Sequence, residues 1–466
     1  MRGIRKAYPG VVAVDGVDLD LFAGEIHALV GENGAGKSTL ANIAFGTVKA
    51  DAGTVQSSGS VGLVHQHFEL VGRLRVWQNI LLGREPRRGF SIDTAAAKAR
   101  VLQLAGENGL EIDPDAFVED LPIGIQQRVE LLRELEREPS VLLLDEPTAA
   151  LAPAEIASFF TTITHLAQRG TAIMIVTHKL QEVISYTVRT SVMRHGKIVG
   201  SMLTASTTVD DIAREMVGGE IPAVADRVPT TLRPCLSVRN FSAGSGSNRV
   251  TDVSFDVQAG EIVGVAGVEG NGQSPLADAV AGVAQYTGTV RIESEKKRPG
   301  VIPQDRHREA LVMPWSILEN AIFGRQHDPG VRKGALLDRK AARADAESIV
   351  ERLDVRAASV DVPVKTLSGG NQQKVVVGRA LLGEPDLVLA YQPTRGIDVG
   401  AAVLVQSRLM EARNAGAAVL LVSFELDEIL ALADRILVLY RGRIVGTFDR
   451  AGVDRAQIGR LMAGST

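Results

Sequence analysis

Residues 31–38 read GENGAGKS, the spacing G-x-x-x-x-G-K-[ST] that suits a bound triphosphate. Gly31, Gly34 and Gly36 let backbone N–H groups close around phosphate oxygens, and the helix that must follow adds partial positive charge at its N-terminus. Lys37 would supply a full charge to the β- and γ-phosphates and Ser38 a hydroxyl to Mg²⁺; Asn33 and Thr39 join the same nucleotide-binding set. A second cluster follows in VLLLDE, where Asp145 and Glu146 stand at the end of an apolar run. A strand followed by a solvated turn would look the same. Open α/β sheets, however, bind ligands at the carboxyl ends of their strands. Asp145 there would hold the Mg²⁺ shell, and Glu146 would orient and polarise an attacking water. His178 follows the next apolar run at the same edge, as a sensor of the γ-phosphate or as a simple structural cap.

Such side chains need a rigid platform. The runs 141–144, 172–176, 387–390 and 418–422 are short, apolar and bounded by turn or polar residues, and they predict central strands of a parallel sheet. Charged, helix-prone stretches at 94–108 and 340–353 lie between the glycine-rich turns and the later strands. With 466 residues, 45% apolar and 23% charged, the chain has the size of two globular domains. Its low aromatic content, 4%, favours α/β domains over an all-β sandwich. A net charge of −4 gives no basic footprint for nucleic acid. The single cysteine, Cys235, excludes an internal disulfide and fits a reducing cytosol. MRGIRKAYPG lacks the apolar core of a signal peptide. No apolar run reaches the ~18 residues of a membrane span. The nearest candidate, 417–440, is broken by Glu425, Asp427, Glu428, Asp434 and Arg435. At a membrane, another chain must do the spanning.

The chain repeats itself. AGEIHALVGENGAGKS returns as AGEIVGVAGVEGNGQS, LPIGIQQRVELLREL as LSGGNQQKVVVGRAL, VLLLDEPTAAL as LVLAYQPTRGI and IMIVTHKLQEV as LLLVSFELDEI. MVGG at Met216 returns as MAGS at Met462. Blocks in one order at nearly constant offset mean a duplicated domain. The expected division is 1–220, a linker at 221–234 with three prolines, and 235–466. The second unit opens with a candidate edge strand from Cys235 to Val238 before Arg239, whereas the first starts almost at the matching Arg2; either that strand is missing or the start lies too late.

GENGAGKS, the glutamine in GLVHQHF, LSGGN, LLLDEPT and VTH together resemble the ATPases of ABC transporters over nearly the whole chain. The resemblance implies an α/β fold of two tandem P-loop NTPase domains. Each has a mainly parallel sheet with helices, an α-helical signature subdomain and a short antiparallel β part. It implies that Gln66 links the Mg²⁺ site to a transmembrane partner, and that Tyr8 in KAYPGVVAVDGV stacks on adenine. Only 29 positions separate Lys37 from Gln66, and 31 separate Gln273 from Gln304. The family would place an extra strand pair in each gap, so both antiparallel parts look trimmed.

The second unit lacks the chemistry. Gln273 replaces the lysine, Tyr391 and Gln392 replace the two carboxylates, and Phe424 replaces the histidine; no aromatic occupies 244–248, opposite Tyr8. An amide cannot accept a proton at pH 7, and a phenol ionises only near pH 10. The signature blocks reverse the asymmetry. Ser368, Gly369 and Gly370 stand intact in LSGGN, while LPIGI has Pro122, Ile123 and Ile125. ABC domains, as the resemblance implies, meet head to tail, each signature facing the partner's phosphate loop. The losses then sort onto one composite site and leave the other whole. The degenerate site could still cradle phosphates through Gly270 and Gly272.

IPQDRHREALV and the fused, degenerate second half resemble simple-sugar and nucleoside importers, with Gln304 where those carry glutamate. GLVHQHFELV, NILLGREP, QPTRGID and VSFELDEIL look most like the nucleoside branch, with ribose or galactose as the other cargo class. The implied partners are two transmembrane permease subunits and an extracytoplasmic solute-binding protein, with the chain peripheral on the cytoplasmic face and one copy per transporter. A soluble tandem ABC protein acting on ribosomes or in DNA repair is the alternative of a different class. Such factors carry two competent sites and a long charged linker. A non-catalytic nucleotide scaffold is the third reading, against which Glu146 and His178 speak.

Overall fold

Every residue of the strands Ile26–Gly31 and Ala172–Thr177 is buried, because both faces of their sheet are covered. They belong to the first of two units, Met1–Ile221 and Pro222–Thr466, in a computed structural model that describes all positions except 33, 66–68, 149–150, 152, 220–223, 247, 295–297, 335, 463 and 465–466.

Among the described residues the first unit's main sheet has six strands. Their spatial order is Lys197–Leu203, Arg189–Arg194, Ile26–Gly31, Ala172–Thr177, Val141–Asp145 and Val61–Val64. All neighbours are parallel except the edge pair Arg189–Arg194 and Lys197–Leu203. The period of two along a strand sorts its side chains between layers. Leu142, Leu144, Ile173 and Ile175 enter a core with Phe160, Val129 and Leu132 from the helices Pro153–Gln168 and Ile123–Leu135. Leu143, Met174 and Val176 enter the opposite core, with Leu40 and Ala41 of the helix Lys37–Phe45 and with Ile4 and Val14. Each such fully buried branched side chain contributes roughly 1.5–3 kcal/mol. Ile4 and Val14 come from a three-stranded antiparallel sheet, Val11–Val17, Arg2–Tyr8 and Ala52–Thr54.

The second unit repeats the plan. Gly300–Ile302, Leu387–Tyr391, Ala418–Ser423, Ile262–Ala266 and Arg435–Tyr440 run parallel, with Arg443–Asp449 antiparallel at the edge. The predicted central strands and the helices Thr94–Glu107 and Arg339–Arg352 stand where the sequence placed them.

One expectation is corrected. Cys235 to Val238 is no edge strand, because Arg233–Ser245 lies between Asn248–Ala259 and Tyr286–Ile292 in the antiparallel sheet. Cys235, Val238 and Phe241 point into its core, and both ladder edges are satisfied. The segment read as a linker lies largely against the second unit. Arg227 pairs with Asp434, Val228 N donates to Asn414 Oδ1 at 3.1 Å, and Thr230 Oγ1 donates to Gly260 O at 2.9 Å.

Candidate functional site

Gly31, Asp145 and Thr177 end three adjacent parallel strands, so the turns that follow them converge on one sheet edge. The phosphate-loop turn leaves no room at two of its glycines. A Cβ at Gly31 would sit 2.1 Å from Met193 O, and one at Gly36 2.0 Å from Ala13 O, with Gly36 at φ 102°. Gly34, also left-handed at φ 82°, is exposed. Ala13 belongs to the strand paired with that of Tyr8, so the loop rests on the hairpin carrying the exposed Tyr8 ring. Lys6 Nζ lies 5.6 Å from that ring's centroid.

Lys37 opens the helix and is buried. Its ammonium donates to Gly31 O at 2.7 Å and Glu32 O at 3.0 Å. Burial lowers its pKa, opposed by the charges of Glu146, Asp145 and Glu32. Ser38 is exposed at the helix start and Thr39 half-buried beside it. By strand alternation Asp145 faces the layer of that helix, as Leu143 does. Its carboxyl is buried and shifted upward by desolvation, although the Ser38 hydroxyl and the Lys37 charge oppose the shift. Asp145 Oδ1 has no hydrogen-bond partner. A buried, unsatisfied carboxylate oxygen beside a serine hydroxyl supplies oxygen donors for a hard cation, and the Lys37 charge nearby suits the phosphate oxygens that such a cation shares. The residues fit Mg²⁺.

Glu146 adopts φ 48°, an uncommon conformation for a residue with a Cβ, and its N–H donates to Val176 O at 2.9 Å. That turn brings its carboxyl to His178, whose Nδ1 is 3.1 Å from Oε1. Burial pushes Glu146 up, but the His178 hydrogen bond and the charges of His178, Lys37 and Lys179 outweigh it, and the net pKa is lowered. Ser38, Asp145, Glu146, His178 and Lys37 are thus brought together. Gln66 and Asn33 lie outside the described residues.

The second unit builds the same turn with other contents. Gln392 takes φ 50°, and its N–H donates to Val422 O at 2.8 Å, as Glu146 does to Val176. Tyr391 Oη lies 2.7 Å from Ser274 Oγ, and its ring meets Phe424 edge-on at 6.2 Å between centroids. Burial pushes the Tyr391 phenol up to about 12. Gln273 is buried and donates to Val268 O at 3.1 Å. The place of the carboxylate is filled by a neutral phenol that also takes the serine hydroxyl. Gln304 Nε2 is 3.5 Å from Glu269.

At the signature of the second unit, Ser368 caps the helix Gly369–Leu381, its Oγ accepting from Asn371 N and from Asn371 Nδ2 at 2.9 Å. Ser368 is exposed, and Gly370 is buried against Asp398, where a Cβ would meet Oδ2 at 2.8 Å. In the first unit Pro122 holds the cap position with no side-chain hydrogen bond.

Two groups escaped the sequence reading. Glu130, fully buried on the helix Ile123–Leu135, accepts from Glu69 N at 3.2 Å and pairs with Arg133 at 3.1 Å; desolvation pushes its carboxyl up to about 7. Arg306 donates to Arg395 O at 3.2 Å and lies against Gly369. A glutamate inside the apolar run VELL was the available signal for the first, and the block IPQDRHREALV, read only as a family resemblance, for Arg306.

The sequence profile of the ABC transporter family matches residues 14–149 and 250–395. The chain is 38% identical to a nucleoside import ATP-binding protein of Lactococcus lactis, covering 100% of this chain and 97% of that one. It is 39% identical to a guanosine import ATP-binding protein of Bacillus subtilis, again over 100% and 97%. A ribose import ATP-binding protein of Streptomyces avermitilis is 39% identical over 99% and 92%. Among solved structures, the RNase-L inhibitor aligns with TM-score 0.70 at 18% identity, covering 100% of this chain and 93% of that one, a likeness of fold alone.

Proposed function

We infer, for a chain that belongs to the ABC transporter family and is an ATPase, that it energises the import of nucleosides or simple sugars from its first unit's site. The observation that supports this most is the contrast between Asp145, Glu146 and His178 gathered at one sheet edge and Tyr391, bonded to Ser274, at the other.

Lys37, freed from the loop carbonyls by an arriving phosphate, would neutralise the β- and γ-oxygens. Ser38 and Asp145, with Gln66, would hold Mg²⁺. That ion, when bound, offsets charge on the phosphate oxygens. Glu146 holds the water: its ionised carboxyl accepts the water's hydrogen bond and takes up a proton as the nucleophile forms. His178 Nδ1–H on Oε1 fixes which carboxylate oxygen is left for the water. Tyr8 offers its exposed face to adenine. Thr39, Gly31, Gly34 and Gly36 would line the phosphates, and Asn33 joins them on sequence alone. Turnover at these residues depends on Ser368, Gly369 and Gly370 of the second unit, in keeping with the partition of losses between the two halves.

The partners would be two permease subunits and an extracytoplasmic binding protein, with the chain peripheral on the cytoplasmic face. No described helix is long and apolar enough to cross a membrane. Nucleosides are the cargo we favour, on GLVHQHFELV and VSFELDEIL. Uptake of labelled guanosine and ribose by cells that express the chain with its permeases and binding protein, with and without Ser368→Ala, tests both points. Nucleoside uptake lost in the variant supports the reading; ribose uptake alone reassigns the cargo, and undiminished uptake overturns the role of Ser368.

A further inference from the structure

We propose that each unit carries a membrane-contact hairpin whose partner is the anionic lipid surface. In the first unit Arg87–Arg88 pairs antiparallel with Ser91–Ile92; in the second, Arg332–Lys333 pairs with Leu336–Leu337. Both turns pass through a left-handed glycine, Gly89 at φ 67° and Gly334 at φ 61°. Both lead into an aspartate that caps the next helix, Asp93 for Thr94–Glu107 and Asp338 for Arg339–Arg352. The two halves have parted at their phosphate loops, GENGAGKS against GVEGNGQS. Both nonetheless keep a basic pair, a glycine and at least two apolar residues here, RRGFSI and RKGALL.

Residues directly opposite in an antiparallel pair share a face. Arg87 stands opposite Ile92, Arg332 opposite Leu337 and Lys333 opposite Leu336, so charge and hydrocarbon lie side by side. Phe90 is fully exposed and Leu336 is 75% exposed, the most exposed aromatic and leucine among the described residues. Arg87, Arg88 and Arg332 make no ion pair among the described residues; Lys333 reaches Asp338 at 3.1 Å with its side chain still 78% exposed. A surface pair of that kind leaves the charge available.

A single exposed phenylalanine is ordinary. A duplicated tip that sets apolar side chains beside long cationic ones is not, and it is the composition of an interfacial anchor. Phe, Ile and Leu would enter the headgroup–acyl boundary while the Arg and Lys stems reach back to phosphates. The attraction acts only within a Debye length of an anionic leaflet. The surroundings favour lipid over a protein partner. Space is open at both turn glycines, since a Cβ at Gly89 or Gly334 would meet nothing within 4 Å. The proposal rests on the reading that the chain works at a membrane, and it adds lipid to the permeases as a source of attachment.

The test is flotation of the full chain with vesicles of phosphatidylcholine, alone or mixed with phosphatidylglycerol, at low and high salt. Binding to the anionic vesicles is expected. R87E/R88E or R332E/K333E should weaken it about tenfold or more, and Phe90→Ser several-fold, with ATPase activity of the chain unchanged. Absence of binding to anionic vesicles, or binding undiminished in all these variants, overturns the proposal. So does normal flotation in variants that lose permeases in detergent, which would make the hairpins a protein contact. Native chain that floats yet never co-purifies with permeases would defeat the import reading while leaving this one standing.

Discussion

The hydroxyl of Ser274 lies 2.7 Å from the phenol of Tyr391, at the positions where the first unit sets Ser38 beside Asp145. One substitution therefore removes a carboxylate and occupies the serine that would have served with it. The neighbouring Phe424 ring and the buried Gln273 leave the places of the histidine and the lysine uncharged as well.

Restoring one charge should consequently harm that site. Gln273→Lys puts an ammonium into a position 1% exposed, in a unit where Tyr391 stands at the place of the carboxylate. We expect a loss of roughly 1–3 kcal/mol in the stability of the second unit and no gain in ATPase rate. Thermal melting and steady-state turnover check both. A doubled rate would show that the missing lysine alone had silenced the site.

The repeated blocks and the apolar runs made the sheet edge legible from sequence, because strand ends and glycine turns are local signals. The bond between Ser274 and Tyr391 was not legible, since it joins residues far apart in the chain and depends on which strand face each occupies. Pairing of Arg233–Ser245 on both sides was missed for a similar reason: its partner Tyr286–Ile292 is largely exposed and lacks a buried-strand pattern. The hairpins at Arg87 and Arg332 are too short to show any period. Glu146 and Gln392 share a left-handed turn that neither residue type announces in the sequence.

Acid should expose the pairing of Glu146 with His178. Burial raises the carboxyl, and the His178 hydrogen bond, with the charges of His178, Lys37 and Lys179, brings it below the ordinary 4.5. A depressed carboxylate stays ionised in the folded chain where the unfolded chain would protonate it. Its stabilisation is present above 4.5 and disappears as pH falls through the folded value. The acid limb of kcat due to Glu146 should therefore lie below 4.5, and in His178→Ala it should move upward on the residual rate. Identical limbs in the two proteins would remove His178 as the cause.

Glu428 gives the opposite slope. It is fully buried, Thr394 donates to its Oε1 at 2.9 Å, and its Oε2 has no partner. Desolvation pushes its pKa from 4.5 to about 7. The folded state then holds a proton that the unfolded chain has released, so this group's contribution is whole below 4.5 and is lost as pH rises toward 7. Glu428→Gln should stabilise the second unit at pH 8 by on the order of 3 kcal/mol and change little at pH 4.5. Chemical denaturation at the two pH values decides; equal shifts at both would mean the effect is packing alone.

The most direct measurement of the central claim is the ATPase rate of the permease-bound complex carrying Glu146→Gln, set against the same complex carrying Gln392→Ala. The first should fall to about one per cent or less with ATP retained, because the water loses its carboxylate, while the second should keep the native rate. Half the activity surviving in Glu146→Gln, or its loss in Gln392→Ala, would contradict a single working site.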